Sequence, residues 1–327
     1  MDGLPRATLI TIGELARTTG LPVRTIRFYC DEGILAASRS PGGHRLFDAD
    51  AATACLTQVR RLRALGLGLP SIVEVLQGEC SLAEAVAAES ARLDIEFRSL
   101  AWRRASLRAL EAAPPADRAD RLCLLAGAQD THAARDGLIR FWRRVLPALK
   151  PLDFETFVCG TIPEPPVDPT VDEVLAYAEL TDLVTDPSLY GAVAQQIWRA
   201  DSQTIRDRRD LFFAVGDILM DVVPLAAAGV EPHANPLLDR FVSAHATARR
   251  ERDTPEFRNQ LRCGATDSDP RIQRYWALTS DLLDMPVTVG QAHGWLYTAL
   301  TRSDEPVSTA PEGLSPRQGC RDKPVQP

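Results

Sequence analysis

The chain has 327 residues, of which 45% are hydrophobic and 25% charged, a length that suggests about two domains with ordinary cores. Its seven cysteines are widely spaced and form no C-x-x-C pair, which excludes a small disulfide-stapled fold and argues for reduced thiols. No apolar run approaches the roughly 18 residues of a membrane span, and the N-terminus lacks the apolar core of a signal peptide. We therefore expect a cytoplasmic protein that has no membrane partner.

The net charge of -7 conceals an uneven distribution along the chain. Residues 1–76 contain nine arginines, no lysine and seven acidic residues, a net charge of +2, whereas the remainder has 28 basic and 37 acidic residues, a net charge of -9. A chain that is acidic overall is not expected to coat nucleic acid along its whole length. The distribution nevertheless leaves room for one locally basic module that contacts DNA.

The first 50 residues carry signals for two short helices and a hairpin. The sequence Thr11-Ile-Gly-Glu is a capping box, so a helix is predicted to start there and to end at Gly20. A second helix is predicted from Pro22 until Gly33, and two short helices joined by a tight turn form a helix-turn-helix. Residues 36–47 include Ser-Pro-Gly-Gly, which favours a β-hairpin wing over a helix.

A long helix follows the first domain, which is predicted to span residues 1–78. Residues 81–112 contain neither proline nor glycine, and apolar residues recur there every seven positions. A helix of about 45 Å is too long to bury its apolar stripe against one small domain, so residues 79–113 are predicted to dimerise. Ser90 and Arg104 interrupt the stripe, which suits a short antiparallel contact. The predicted dimerisation residues are Val86, Leu93, Phe97, Leu100 and Leu107.

After Pro114-Pro115 the apolar spacing stays helical, and further helices are predicted to start at Asp186-Pro187, Asn235-Pro236, Thr254-Pro255 and Asp269-Pro270. The four prolines of residues 160–169 predict an extended loop. Residues 303–327 are rich in proline, serine and charge and are predicted to be a disordered tail. The predicted fold class is therefore mainly α: a winged helix-turn-helix with a small β-hairpin wing, a long dimerisation helix, and an all-α C-terminal domain over residues 114–302.

The N-terminal segment resembles the MerR family of bacterial transcriptional regulators. The resemblance rests on Thr11 to Leu35, on the wing sequence Ser40-Pro-Gly-Gly-His-Arg-Leu-Phe-Asp, on Leu62-Arg-Ala-Leu-Gly and on the long helix, together about the first third of the chain. It implies a cytoplasmic, nucleoid-associated homodimer that binds an inverted repeat within an overlong promoter spacer. An effector would make the dimer bend and untwist this double-stranded DNA, to which RNA polymerase responds indirectly.

Donors on the second helix, on the wing and on the helix after it are the candidate DNA contacts. A recognition helix needs donors that reach phosphates and base edges, and glycines in a wing allow close approach to the backbone. Scattered arginines often only solvate a surface, but their placement on one helix and one wing favours DNA binding. The family usually has tyrosine where Phe28 and His44 stand. The predicted DNA-binding residues are Thr11, Arg24, Thr25, Arg27, Phe28, Tyr29, Arg39, Gly43, His44, Arg45, Arg60 and Arg61.

Metal sensing and catalysis are two alternatives for the rest of the chain. Several members of the family ligate a metal through a cysteine at the start of the dimer helix and a pair near its far end. Cys80 fits the first position, but Cys123 stands alone, so we predict an inert Cys80 and no metal or other cofactor. Residues 118–302 contain no G-x-S-x-G, H-E-x-x-H or phosphate-loop motif, so we do not expect an enzyme.

Aromatic residues of the C-terminal domain are the candidate effector contacts. Aromatic side chains at helical spacing fill cores more often than they line pockets. Helical bundles of this size nevertheless hold apolar ligands, and members of the family with enlarged C-terminal domains bind drugs or antibiotics there. A sequestering protein that removes a toxic small molecule and autoregulates its own gene is the alternative function. The predicted effector-binding residues are Trp142, Trp198, Tyr275, Trp276 and Trp295.

Overall fold

The computed structural model describes residues 8–199 and 202–303 of the chain. The chain divides into two compact units, of which the first ends at Leu100 and the second begins at Ala101. The mainly α fold class is confirmed, because the described residues form 15 α-helices, one 3-10 helix at Ser202–Thr204 and one three-stranded antiparallel sheet. None of these helices is both long enough and apolar enough to cross a bilayer.

The first unit follows the predicted order of helix-turn-helix, wing and further helices. Its elements are β1 Leu9–Thr11, α1 Ile12–Thr19, α2 Val23–Asp31, β2 Ser38–Arg39, β3 Arg45–Asp48, α3 Ala49–Ala64, α4 Leu69–Gln77 and the start of α5 Leu82–Glu111. The predicted winged helix-turn-helix is therefore confirmed as a fold.

Strand β1 is absent from the sequence-based prediction. It pairs antiparallel with β3, with Leu9 opposite Asp48 and Thr11 opposite Leu46, which gives the sheet order β1-β3-β2. Three residues are too few to show an alternating pattern of their own. The strand is therefore defined by its pairing partner and not by its own sequence.

Helix α1 has the predicted capping box. The Thr11 backbone N–H donates to Glu14 Oε2 at 2.8 Å, and the Glu14 backbone N–H donates to Thr11 Oγ1 at 3.3 Å. The bond from the Thr11 backbone N–H, and then a bond from the Thr11 hydroxyl to the same carboxylate oxygen, hold the pKa of the Glu14 carboxyl below its usual value. The helix ends at Gly20, whose φ of 71° is readily available only to glycine.

Two apolar clusters hold the first unit together. One contains Leu15, Ile26, Leu35, Phe47, Ala52 and Leu56, and the other contains Ile34, Val59, Leu62, Leu67, Ile72 and Ala85. Leu15 of α1 and Ile26 of α2 are fully buried, so the two helices of the helix-turn-helix are fixed against the same cluster. The packing of these two side chains therefore determines which face of α1 and which face of α2 turn away from the core.

The described residues of the second unit form helices joined by loops, with no strand among them. Its elements after α5 are α6 Arg118–Gly127, α7 Thr131–Val145, α8 Pro151–Thr161, α9 Val171–Leu183, α10 Pro187–Trp198, α11 Arg208–Ala227, α12 Pro236–Arg249, α13 Pro255–Arg262, α14 Pro270–Leu283 and α15 Val289–Arg302. All four predicted helix starts are confirmed. At each one the residue before the proline accepts a backbone N–H of the first turn through its side chain.

Two boundaries differ from the predictions made from sequence. The predicted loop begins too early, because Gly160 and Thr161 still belong to α8, where Thr161 is buried. The predicted disordered tail begins at Ser303, but this residue caps α15 through a bond from its backbone N–H to the Ala299 carbonyl at 3.1 Å. The rest of that prediction, residues 304–327, lies outside the described residues.

Candidate nucleic-acid interface

Helix α2 presents its charged side chains outward because its opposite face is buried. Ile26 is completely buried, whereas Arg24, Arg27 and Phe28 are exposed and Thr25 is half-buried. Two guanidinium groups and an aromatic ring therefore lie within about one turn of an exposed helix face. Guanidinium groups donate to phosphates and to guanine edges, and an aromatic edge can contact the methyl group of thymine.

Tyr29 has a structural role that sequence inspection missed. It is half-buried and packs against both apolar clusters of the first unit. Its backbone carbonyl accepts hydrogen bonds from the N–H groups of Ile34 at 2.9 Å and Leu35 at 3.2 Å. Tyr29 thus fixes the end of α2 against the core of the first unit.

The wing is a short hairpin whose tip is shaped by glycine. The Gly43 N–H donates to the Ser40 carbonyl at 2.9 Å, and Gly43 has a φ of 78°, so the turn requires a residue without a Cβ. Arg39 and Arg45 are paired across the two strands. Cross-strand partners share one face of a hairpin, so both guanidinium groups can donate to one bound anion such as a phosphate.

An ion pair connects the wing to the end of α2. Arg45 Nη2 donates to Asp31 Oδ1 at 2.8 Å, and both side chains are partly exposed. An exposed pair of this kind contributes less than about 1 kcal/mol to stability, so it orients Arg45 more than it stabilises the fold. The sequence contains no signal for this contact because the two residues are brought together only by the hairpin.

The other predicted DNA contacts lie at the start of α1, at the wing and on α3. The Thr11 hydroxyl donates to Glu14 Oε2 at 2.9 Å, so its side chain already serves the cap of α1. His44 is exposed at the wing, and Arg60 and Arg61 are exposed on α3. Arg63, which is not among the predicted contacts, closes the turn after α3, because its Nη1 donates to the Leu67 carbonyl at 3.0 Å.

Cys80 lies beside carboxylates and not within a group of metal ligands. Its thiol donates to the Ser81 carbonyl at 3.3 Å and lies 3.9 Å from Glu84 Oε2. Burial, and then the negative charges of Glu84 and Glu74, raise the pKa of this thiol. Within residues 8–199 and 202–303, no three His, Cys, Asp or Glu side chains are grouped so that they could hold a metal ion.

The second unit brings three of the five predicted effector-binding residues together. Trp142, Trp198 and Trp276 line one apolar cavity between the helices. Tyr275 lies outside that lining, and its hydroxyl accepts from Trp142 Nε1 at 2.6 Å. Trp295 also lies outside it, and its Nε1 donates to the Val230 carbonyl at 2.8 Å. The cavity also contains His293 and Gln196, which sequence inspection did not select.

Comparison with known proteins agrees with the geometry of the first unit. Residues 10–79 match the family described as MerR HTH family regulatory protein. This segment is therefore a MerR-type helix-turn-helix domain, of the DNA-binding class used in transcription regulation, and the resemblance predicted from the sequence is confirmed.

The curated relatives share only this N-terminal part. The chain is similar to the nodulation protein NolA of Bradyrhizobium elkanii, with 39% identity over 93 residues, or 28% of this chain and 42% of the relative. It is likewise similar to the nodulation protein NolA of Bradyrhizobium diazoefficiens, with 38% identity over 93 residues, or 28% of this chain and 39% of the relative. The chain thus spans about two fifths of the length of these relatives. No solved structure matched the chain.

Proposed function

We propose that the protein is a homodimeric transcription regulator that binds an inverted repeat within a promoter spacer and distorts the DNA when a small effector binds. The observation that carries this proposal is the exposed basic face of α2 within a MerR-type domain. The buried Ile26 fixes that face outward, and the wing adds Arg39 and Arg45 on one side of its hairpin. We further propose that the chain is not an enzyme and acts in the bacterial cytoplasm at the nucleoid.

Dimerisation is supported by the unpartnered apolar face of α5. The five predicted dimerisation residues are between 42% and 59% exposed, although all of them are large and apolar. They share one helix face, since residues at seven-residue spacing and at steps of three or four lie close together around a helix. A second copy of the same helix would bury this face and place two recognition helices on successive major grooves.

Distortion of DNA follows from binding two grooves with one two-fold dimer. An effector that binds one arrangement of the dimer more tightly shifts the population toward it. If that arrangement changes the separation of the two recognition helices, the DNA between them must bend or untwist, at a cost of a few kcal/mol. The footprint of the purified protein on DNA upstream of its own gene tests this. We expect protection of an inverted repeat between two promoter elements, and no protection at low salt would contradict the proposal.

We expect the Arg27→Ala variant to bind its operator about 10- to 100-fold more weakly than the wild type, because an exposed guanidinium on the recognition helix is lost. The affinities are measured by fluorescence anisotropy at several salt concentrations. A phosphate contact predicts that the slope of log affinity against log salt decreases by about one, whereas a base contact predicts a loss confined to the cognate sequence.

The matched control for this experiment is Arg240→Ala. Arg240 is an exposed arginine of the second unit that pairs with Asp221 at 2.7 Å. It is expected to leave DNA affinity within about twofold of the wild type, since it lies outside the MerR-type domain. Equal losses of DNA affinity in both variants would mean that the net charge of the protein, and not the exposed face of α2, determines DNA binding.

We expect Leu93→Asp to weaken the dimer at least about 100-fold, because a carboxylate would have to be buried in the apolar contact of α5. Ile95→Asp is the matched control: Ile95 is 65% exposed on the same helix, but two residues further along, on the opposite side. Sedimentation equilibrium gives both dissociation constants. A wild-type protein that remains monomeric at micromolar concentration, or an Ile95→Asp variant that dissociates as much as Leu93→Asp, contradicts the assignment.

The alternative of a sequestering protein is supported by the apolar cavity of the second unit. Sequestration requires about as many protein copies as ligand molecules, whereas regulation needs only enough dimer to occupy a promoter. Quantitative measurement of both amounts in cells exposed to the effector distinguishes the two functions.

A further inference from the structure

One charged residue interrupts the exposed apolar face of α5. Arg104 lies four residues after Leu100 and three before Leu107, so the three side chains are neighbours on one side of the helix. Leu100 and Leu107 are 57% and 59% exposed, and both are among the residues that the proposed dimer would bury. A second helix that covers both leucines must also cover the position between them. Arg104 therefore lies within the proposed dimer contact.

The Arg104 guanidinium is bound by a loop of the same chain. Its Nη2 donates to Asp168 Oδ1 at 2.5 Å, although the two residues are 64 positions apart. Asp168 belongs to the extended loop between α8 and α9. Both side chains of the ion pair are about half exposed, so the pair lies at the surface of the second unit. The loop therefore runs beside the exposed face of α5 and directs a carboxylate at it.

This loop has little conformational freedom and is attached at a second point. Residues 162–170 contain four prolines, each of which fixes one backbone dihedral angle. Asp168 itself precedes a proline, which restricts its backbone to extended conformations. Near the start of the loop, Glu164 Oε1 pairs with Arg135 Nη2 of α7 at 2.5 Å. The carboxylate of Asp168 is therefore held in place before any partner binds.

The charges along α5 favour a second copy of this chain as the partner. Residues 82–97 contain four acidic residues and one arginine, a net charge of -3, whereas residues 98–111 contain four arginines and one acidic residue, a net charge of +3. A second copy that runs antiparallel brings the acidic half of each helix against the basic half of the other, while a parallel copy would place like charges together. A two-fold dimer needs such a self-complementary surface.

We propose that the loop of residues 162–170 is part of the dimer interface, and that Asp168 neutralises Arg104 of its own chain when a second copy covers α5. An unpaired guanidinium is costly to remove from water, and a carboxylate already in contact with it lowers that cost. Each subunit thus enters the dimer with its Arg104 paired. The inference rests on the proposed homodimer and adds to it a surface outside α5.

The first test is Asp168→Asn, which we expect to weaken the dimer at least about tenfold, because two copies of Arg104 would be covered without a counter-ion. Asp221→Asn is the matched control. The Arg240–Asp221 pair is exposed to the same degree as the Arg104–Asp168 pair, 51% and 53%, but joins α11 to α12. We expect the control to leave the dimer dissociation constant within about twofold of the wild type. Sedimentation equilibrium of the full-length proteins measures both constants.

The second test is Arg104→Leu, for which we expect the opposite sign. Leucine completes the apolar face of α5 and removes the cost of covering a charge, so the dimer should become about tenfold tighter. Arg240→Leu controls for the added apolar side chain and should leave dimerisation unchanged. In the Arg104→Leu background, Asp168→Asn should no longer weaken the dimer, because there is no guanidinium left to neutralise.

The outcomes separate this inference from the proposed function. If the wild type dimerises, Leu93→Asp dissociates it, and Asp168→Asn behaves like Asp221→Asn, then the dimer stands and the loop is not part of its interface. If Arg104→Leu weakens the dimer as much as Asp168→Asn does, the ion pair only supports the fold of each subunit, and the inference is overturned. A wild type that remains monomeric contradicts the proposed homodimer and this inference together.

Discussion

Replacement of Asp267 by asparagine is expected to lower the free energy of unfolding of the second unit by about 3–5 kcal/mol. The side chains of Arg199 and Asp267 are both essentially inaccessible to solvent and form an ion pair. Asparagine has nearly the same shape as aspartate but carries no charge, so the variant leaves the Arg199 guanidinium buried without its counter-ion. The cost is that of an uncompensated charge in a medium of low dielectric constant.

The measurement is urea unfolding followed by tryptophan fluorescence. All five tryptophans lie in the second unit, so this signal reports on that unit alone. Asp221→Asn is the matched control, since Asp221 pairs with Arg240 at 2.7 Å but both side chains are about half exposed. An exposed pair contributes at most about 1 kcal/mol, so equal losses in the two variants would refute the argument from burial.

The double variant Arg199→Met, Asp267→Leu provides a second check. It removes both charges and fills the space with apolar groups, and we expect it to recover most of the stability that Asp267→Asn loses. It also removes the guanidinium that donates to His293 Nδ1, so the tautomer of His293 is no longer fixed. A double variant as unstable as the single one would indicate a packing defect and not an uncompensated charge.

Acidification from pH 7 to pH 5 is expected to destabilise the second unit by about 4 kcal/mol in total. His245 and His293 are buried, and their pKa values lie well below the ordinary 6.5, chiefly because of burial and then because of Arg199. Below pH 6.5 the unfolded chain therefore binds a proton at each site and the folded chain does not. The contribution of the two neutral histidines to the free energy of unfolding has its full value above about pH 7.5 and decreases as the pH falls through 6.5.

Unfolding free energies measured at intervals of half a pH unit test this expectation. His245→Gln can retain an acceptor for Arg249 Nη1, which lies 3.1 Å from His245 Nδ1, but cannot titrate. We expect it to halve the loss between pH 7 and pH 5. An unchanged pH dependence in this variant would show that His245 does not remain neutral in the folded protein.

Local signals in the sequence determined most of the helix boundaries. The capping box at Thr11 and the Asp, Asn or Thr before Pro187, Pro236, Pro255 and Pro270 all proved to be helix starts. Such signals are reliable because a cap involves residues only two or three positions apart, so the sequence alone contains both partners. The stripe on α5 could be predicted for the same reason, since periodicity along one helix needs no tertiary information.

The sequence by itself therefore determined the helical class, the MerR-type helix-turn-helix with its wing, and the exposed arginines of α2. Only the tertiary structure decided the contacts between residues distant in the chain. The Arg45–Asp31 pair joins residues 14 positions apart, Arg199 meets Asp267 across 68 positions, and Arg199 reaches His293 across 94. No periodicity or cap encodes such pairs. They form because the apolar faces of many helices pack into one core, and some polar side chains are buried together with them. A buried polar group needs a hydrogen-bond or ion-pair partner, and the packing of the helices determines which other polar groups are close enough to provide it.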